Sequence, residues 1–158
     1  MCIRDSIEAS GGPVVAVVVD ADLVRTANSL GAGTSAAYNA FSDADGALKV
    51  ALPLFRKEHT SVLLSTGIQV MNIGASPAHA VLAIKDSNGR ALPIGSDAQR
   101  TISPLSTFTW IPSSIPSLPA GGYGSATLTS DQPLVVIVND ASPNGAVDAA
   151  IYSGIKAD

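Results

Sequence analysis

The segment PVVAVVVDA at Pro13–Ala21 returns 120 positions later as PLVVIVNDA at Pro133–Ala141. With their flanks, Ser10–Ala21 and Ser130–Ala141 agree at six of twelve positions, and most of the others exchange one aliphatic for another. A second pair follows: AAYNAF (Ala36–Phe41) is echoed by AIYSGI (Ala150–Ile155), now at an offset of 114. The connection between the paired segments is therefore six residues longer in the first copy. Surface loops absorb insertions that strands do not, so similar strands around a loop of altered length point to a duplicated unit. The alternative is two unrelated strands of one domain that share a Val-rich composition; the matching Pro before each run and the matching Asp-Ala after it argue against that. The expectation is that residues 1–42 carry the last two strands of one unit and residues 43–158 a complete second unit. The first six residues, MCIRDS, resemble adapter sequence read as coding at the start of metagenomic fragments and are taken as foreign, with the natural start upstream.

The complete unit reads as short strands. LKVALPLF (Leu48–Phe55) comes first, then GIQVMNIG (Gly67–Gly74), in which Ile68, Val70 and the weaker partner Asn72 alternate against Gln69, Met71 and Ile73. AHAVLAIKD (Ala78–Asp86) sets His79, Val81, Ala83 and Lys85 on one face and Ala80, Leu82 and Ile84 on the other, the two-residue period of a half-buried strand. Asn88-Gly89 predicts a tight hairpin with positive φ angles, and ALPI (Ala91–Ile94) a short return strand that Pro93 marks as an edge. QRTISP (Gln99–Pro104), STFTWIP (Ser106–Pro112), GSATLTS (Gly124–Ser130), PLVVIVND (Pro133–Asp140) and AAIYSGI (Ala149–Ile155) complete the set, the fourth apolar enough for burial on both faces. Strands of this length and spacing predict an antiparallel β-sandwich. One possible helix lies at Ala21–Ser29, and Pro143–Gly145 predicts a turn in the corresponding loop.

Composition narrows the function classes. Hydrophobic residues make up 46% and charged residues 14%, which excludes global disorder. Net charge is −4 with no basic cluster, so nucleic acid is not an expected partner. The longest apolar run, Val14–Val19, is too short to span a bilayer. A single Cys, Cys2, allows neither an intrachain disulfide nor a Cys-rich zinc site.

Candidate chemistry is sparse. GAGTSA (Gly31–Ala36) matches the dinucleotide pattern G-x-G-x-x-A, but a strand is expected after it where a helix is needed, so a flexible loop is the preferred reading. Asp43 and Asp45 in SDADG (Ser42–Gly46) are weak calcium candidates; a calcium loop starting at Asp43 would need Gly at Leu48 and Glu at Leu54, and a solvated linker is favoured. His59 and His79 are the only histidines, and no G-x-S-x-G elbow accompanies them. His59 is expected to be solvated in a charged loop and His79 to be an edge residue. The only Glu residues, Glu8 and Glu58, do not form a glycosidase carboxylate pair. Trp110, two positions from Phe108 on the same strand face, and Tyr123 in a Gly-rich turn are weak ligand-contact candidates, with core packing the default for Trp110. No catalytic residue, cofactor or metal is assigned.

The stretches LPLFRK (Leu52–Lys57), TGIQVMNIG (Thr66–Gly74), LPAGGYGSATLTSDQPLVVIVND (Leu118–Asp140) and AAIYSGI resemble tandem immunoglobulin-like repeats of secreted or surface proteins of bacteria. Ile68, Gln69, Val70 and Asn72 fit the first motif; Pro119, Gly121, Gly124, Ser125, Ser130, Gln132, Pro133 and Asn139 fit the second, and Tyr152 and Gly154 the last. Phe55 and Met71 depart from the commonest residues. The resemblance implies an immunoglobulin-like sandwich, an extracellular or cell-surface location, display in arrays, and no catalytic residues to carry over. The function expected is a non-catalytic structural or adhesion module: stiff sandwiches on short linkers, with neighbouring repeats, extracellular polysaccharide or other surface proteins as partners. A carbohydrate-binding accessory module of an exported hydrolase is the alternative, and an enzyme in its own right is the least favoured.

Overall fold

A computed structural model describes residues 10, 16–21, 35–142 and 150–157. The MCIRDS segment, most of the possible helix at Ala21–Ser29, the first residues of the Gly31–Ala36 loop and the Pro143–Gly145 turn lie outside the described residues. The strands are β1 (Val17–Ala21), β2 (Ser35–Asn39), β3 (Ala47–Arg56), β4 (Ser65–Asn72), β5 (Ala78–Asp86), β6 (Ala91–Leu92), β7 (Gln99–Ile102), β8 (Thr107–Trp110), β9 (Tyr123–Ala141), β10 (Ala150–Ser153) and β11 (Ile155–Lys156). Every ladder is antiparallel. The chain is an all-β protein, an antiparallel sandwich whose two layers share β9. One layer runs β11, β3, the first half of β9 and β5, with β6 and β7 both on the far edge of β5. The other runs β8, β4, the second half of β9 and β10.

Alternation places the core. In β5, Ala78, Ala80, Leu82 and Ile84 are buried while His79, Val81, Ala83 and Lys85 are exposed, as the two-residue period requires. In β4 the buried set is Thr66, Ile68, Val70 and Asn72. Ile68 and Val70 of β4 and the buried face of β5 meet Leu52 and Phe55 of β3 and Leu128, Leu134, Val136 and Val138 of β9 in one apolar cluster. The period slips in β3, where register shifts fall between Ala47 and Lys49 and between Leu52 and Phe55. Pro53 lies inside the second shift, a place where a missing N–H breaks no ladder bond.

Two sequence expectations change. GSATLTS and PLVVIVND are one 19-residue strand, not two. Thr129 faces Lys49 and Leu134 faces Ala47, so Ser130–Pro133 stand opposite the single residue Leu48. The strand turns a corner there and passes from one layer to the other, as bends do in sandwiches whose strands switch sheets. Past the corner Leu134, Val136 and Val138 are buried on one face, and on the other Val135 is buried while Ile137 and Asn139 are half-buried. The second change is the hairpin at Asp86–Arg90. Only Gly89 has a positive φ, +80°. Asp86 N–H donates to the Arg90 carbonyl at 2.9 Å, and Gly89 N–H donates to the Asp86 carbonyl at 2.9 Å. The loop therefore holds three residues ending in a left-handed glycine, not a two-residue Asn-Gly turn. The Asp86 carboxylate accepts N–H bonds from Asn88 and Arg90, both at 2.9 Å, which explains the acidic residue at the loop's start.

β1 and β2 form a separate two-stranded sheet, and β2 runs close to β10. Their register pairs Val17 with Asn39, Val18 with Tyr38, Val19 with Ala37 and Asp20 with Ala36. In the β9–β10 hairpin the pairs are Ile137 with Ser153, Val138 with Tyr152, Asn139 with Ile151 and Asp140 with Ala150. Each pair in one hairpin is the sequence counterpart of a pair in the other. The bond that flanks each ladder also matches: Ala40 N–H donates to the Ala16 carbonyl at 2.9 Å, and Gly154 N–H to the Val136 carbonyl at 2.8 Å.

Candidate functional site

The densest polar arrangement lies where β3 runs into the charged segment Arg56-Lys57-Glu58-His59. The β3–β9 ladder puts Arg56 opposite Tyr123 and so brings this segment against the 115–123 loop. Lys57 is 7% exposed, and its Nζ donates to the Ile115 carbonyl at 2.7 Å. Lys57 N–H donates to the Gly122 carbonyl at 2.8 Å, and Gly121 N–H to the Lys57 carbonyl at 2.9 Å. His59 docks on the same loop: its Nδ1 lies 2.9 Å from the Gly121 carbonyl oxygen, and its ring lies 4.6 Å from the ring of Tyr123. The expectation of a solvated His59 is corrected, because the β3–β9 ladder carries a tyrosine to its side and the imidazole covers it. Glu58, Thr60 and Leu63 adopt left-handed φ values of 50°, 66° and 57°. Such conformations cost of order 1–3 kcal/mol each and need the surroundings to hold them. Here the holders are His59 and Leu64, which exchange backbone bonds of 2.8 Å, and Ser142, whose hydroxyl donates to the Val62 carbonyl at 2.6 Å. A shallow cleft of about 400 Å³ lies beside this loop, lined by Glu58, Leu63, Ser65, Ser113, Ala141 and Ser142.

Behind the loop sits an ion pair. Asp140, 3% exposed, bonds the Arg56 guanidinium and accepts from the Thr66 hydroxyl at 3.4 Å. Thr66 Oγ1 in turn accepts Arg56 N–H at 2.8 Å. Tyr152 hydroxyl donates to the Leu54 carbonyl nearby, and burial holds its phenol above the usual tyrosine range, with Asp140 adding to the rise. These contacts fasten β3, β4, β9 and β10 to one another, a structural role.

The residues singled out in the sequence separate. Trp110 is 2% exposed, and its indole N–H donates to the Asp97 carbonyl at 2.7 Å. Phe108 meets it edge to face at 4.8 Å, with the Arg100 guanidinium 5.0 Å from the Phe108 ring centre. Trp110 therefore belongs to the core and presents no stacking face, because the β4–β8 ladder turns it inward beside Ile68. Tyr123 is 45% exposed, beside His59 and on a different strand from Trp110. Asp43 and Asp45 are exposed in one helical turn; the Asp45 carboxylate accepts the Ser42 N–H at 2.7 Å and its hydroxyl at 2.8 Å. Those bonds, the backbone one first, hold Asp45 below the usual carboxylate range. Among the described residues, no group of three or more His, Cys, Asp or Glu side chains is arranged to hold a metal ion. His79 is exposed on β5, with Nδ1 2.7 Å from the Asp131 carboxylate and its N–H donating to the same group at 2.8 Å.

No protein-family model matches the chain, and no curated protein does. Among solved structures, the fold is similar to that of Thermotoga maritima 1070, with a TM-score of 0.56 at 16% identity over 72% of this chain and 97% of that one. The Anabaena sensory rhodopsin transducer is also similar, with a TM-score of 0.47 at 17% identity over 58% of this chain and 94% of that one. The first likeness supports the all-β sandwich and carries no activity with it.

Proposed function

We propose that this chain is a non-catalytic structural or adhesion module of a secreted or cell-surface bacterial protein built from repeated immunoglobulin-like units. The observation that carries the reading is the shared register of the β1–β2 and β9–β10 hairpins, in which Val18 meets Tyr38 as Val138 meets Tyr152. Neighbouring repeats are then the first partners, and β2 beside β10 is the kind of contact they would make.

The geometry favours presentation over load-bearing. β11 lies antiparallel to β3, and Ala157 N–H donates to the Lys49 carbonyl at 3.0 Å. Entry to the complete unit at Ala47 and exit at Ala157 therefore leave from the same end. Tension on such ends would peel β11 from β3 one bond at a time. Units joined this way stand side by side, with the 57–64 and 115–123 loops free to meet polysaccharide or another surface protein.

The test is the parent gene upstream of Ile7, read from long unassembled sequence. Further copies of the β9–β10 pattern behind an export signal support the module. A natural start at Met1 with no export signal overturns it. The second reading, a carbohydrate-binding accessory module, rests on exposed Tyr123 beside the imidazole of His59. Retardation of the chain in polysaccharide gels that Tyr123→Ala abolishes would favour it; equal mobility with and without polysaccharide would dismiss it.

A further inference from the structure

In an antiparallel ladder, residues alternate between bonding the partner strand and aiming their backbone groups away from it. The bond from Ala40 N–H to the Ala16 carbonyl fixes the phase in β1. Ala16, Val18 and Asp20 bond toward β2, so Val17, Val19 and Ala21 aim their N–H and C=O groups at the opposite edge. Among the described residues, that edge carries no ladder. In β9 the bond from Gly154 N–H to the Val136 carbonyl sets the same phase. The counterparts of the three outward residues are Ile137, Asn139 and Ala141, and they face Gln69, Gly67 and Ser65 of β4. At the counterpart edge of β9 the partner is a strand reading STGIQVMN, with Ile68 opposite Val138.

We propose that the outer edge of β1 is a strand-acceptor site whose occupant is an extended segment of the β4 type, antiparallel to β1, with its isoleucine opposite Val18. An open edge is a template for such pairing through main-chain bonds, while side chains of alternate residues set the choice of partner. The β4 within the complete unit is held between β8 and β9, so the occupant comes from a β4-type segment of another unit. The proposal rests on the repeat reading above, specifically on β1–β2 being a copy of the β9–β10 hairpin.

The test uses the full chain, a capped synthetic peptide of residues 65–72 and a scrambled control, followed by residue-resolved amide exchange in NMR. The expected result is exchange at Val17 and Val19 slowed by about tenfold or more with the native peptide only. N-methylation of the peptide at Gly67 and Gln69 should abolish the effect without altering the protein. Val19→Pro should abolish it too while keeping the β1–β2 ladder, since Val19 N–H does not bond β2. No protection, protection by the scrambled peptide, or protection confined to β9 overturns the proposal. Protection of the β1 edge by self-association, seen in sedimentation without peptide, overturns the assigned occupant. Cross-strand Hα contacts between Val17 and Asn39 and between Val19 and Ala37 separate the two failures. Their absence removes the hairpin-copy reading and the acceptor with it, whereas their presence without peptide protection removes the acceptor alone.

Discussion

Replacing Asn72 with leucine should cost about 3–5 kcal/mol, more than the loss of any exposed polar side chain of this protein. Asn72 is 0% exposed at the end of β4. Its amide nitrogen donates to the Ser76 carbonyl at 2.8 Å and the Ile102 carbonyl at 2.9 Å, and its oxygen accepts Gly74 N–H at 2.8 Å. Its own backbone is also engaged, with N–H to the Ser106 carbonyl at 3.1 Å and its carbonyl accepting Leu105 N–H at 2.8 Å. One side chain thus ties the loop after β4 to the end of β7. Leucine has similar bulk and offers no partner to three backbone groups. A lost bond costs about 0.5–1.5 kcal/mol net, and a buried group left without a partner about 1–3 kcal/mol. The bonds to Ile102 and Gly74 are buried and that to Ser76 half-buried, so two groups bear the larger cost and water relieves the third. With a urea dependence of about 1–3 kcal/mol per molar, the unfolding midpoint should fall by about 2 M at an unchanged slope. Asn72→Asp should be at least as severe, because it sets an acceptor against two carbonyls. A loss under about 1 kcal/mol for Asn72→Leu would show that the loops hold their shape without this residue, and the account of the β4 terminus would be refuted.

Four further outcomes follow from the geometry. Asn139 Oδ1 is buried without a hydrogen-bond partner, and the first copy has Val19 at the counterpart position, so Asn139→Val should be neutral or stabilise by up to about 2 kcal/mol in urea titration. Gly124→Ala should weaken the β5–β9 pairing and lower the melting temperature, since a Cβ there would lie 2.0 Å from the Lys85 carbonyl oxygen. Burial raises the Tyr152 pKa above 10.0, so its contribution is complete below the unfolded-state value and is lost as pH rises through the folded-state value; melting followed across the alkaline range should show a decline that Tyr152→Phe reduces. Asp131 is held below 3.8 first by the His79 backbone N–H and then by its imidazole, so carboxylate titration by NMR should show His79→Ala retaining part of the shift, and a full return to the ordinary value would refute that order.

What the sequence reveals here depends on whether the determining contact is local. The two-residue period of Ala78–Asp86 names the buried face of β5 residue by residue, because alternation and burial are the same fact on a half-buried strand. Asn72 is legible as a member of the buried face of β4 but not as a hub, since its acceptors at Ser76 and Ile102 come from the loop after β4 and from the end of β7. SDQP breaks the strand pattern in the sequence because Ser, Asp and Pro usually punctuate strands; in the fold these residues are the extra ones that let β9 bend opposite Leu48 and continue, and that pairing is set by the distant β3. The 57–64 loop is opaque for a related reason: left-handed turns announce themselves through Gly or Asn, whereas Glu58, Thr60 and Leu63 are forced there by ties from Ser142 and the 115–123 segment. Arg56 and Asp140, 84 positions apart, carry no local signal of their pairing. The pair of like hairpins is the exception that joins the two scales. Its repetition is written in the chain at offsets that differ by the loop, and the register converts those offsets into a spatial statement. If residues 35–39 had slipped by one position against residues 17–21, the sequence match would survive while the alternating faces exchanged. Because Val18 meets Tyr38 as Val138 meets Tyr152, the likeness is one of pairing as well as composition, and under the proposed repeat the edge of β1 that carries no ladder among the described residues corresponds to the edge of β9 that β4 covers.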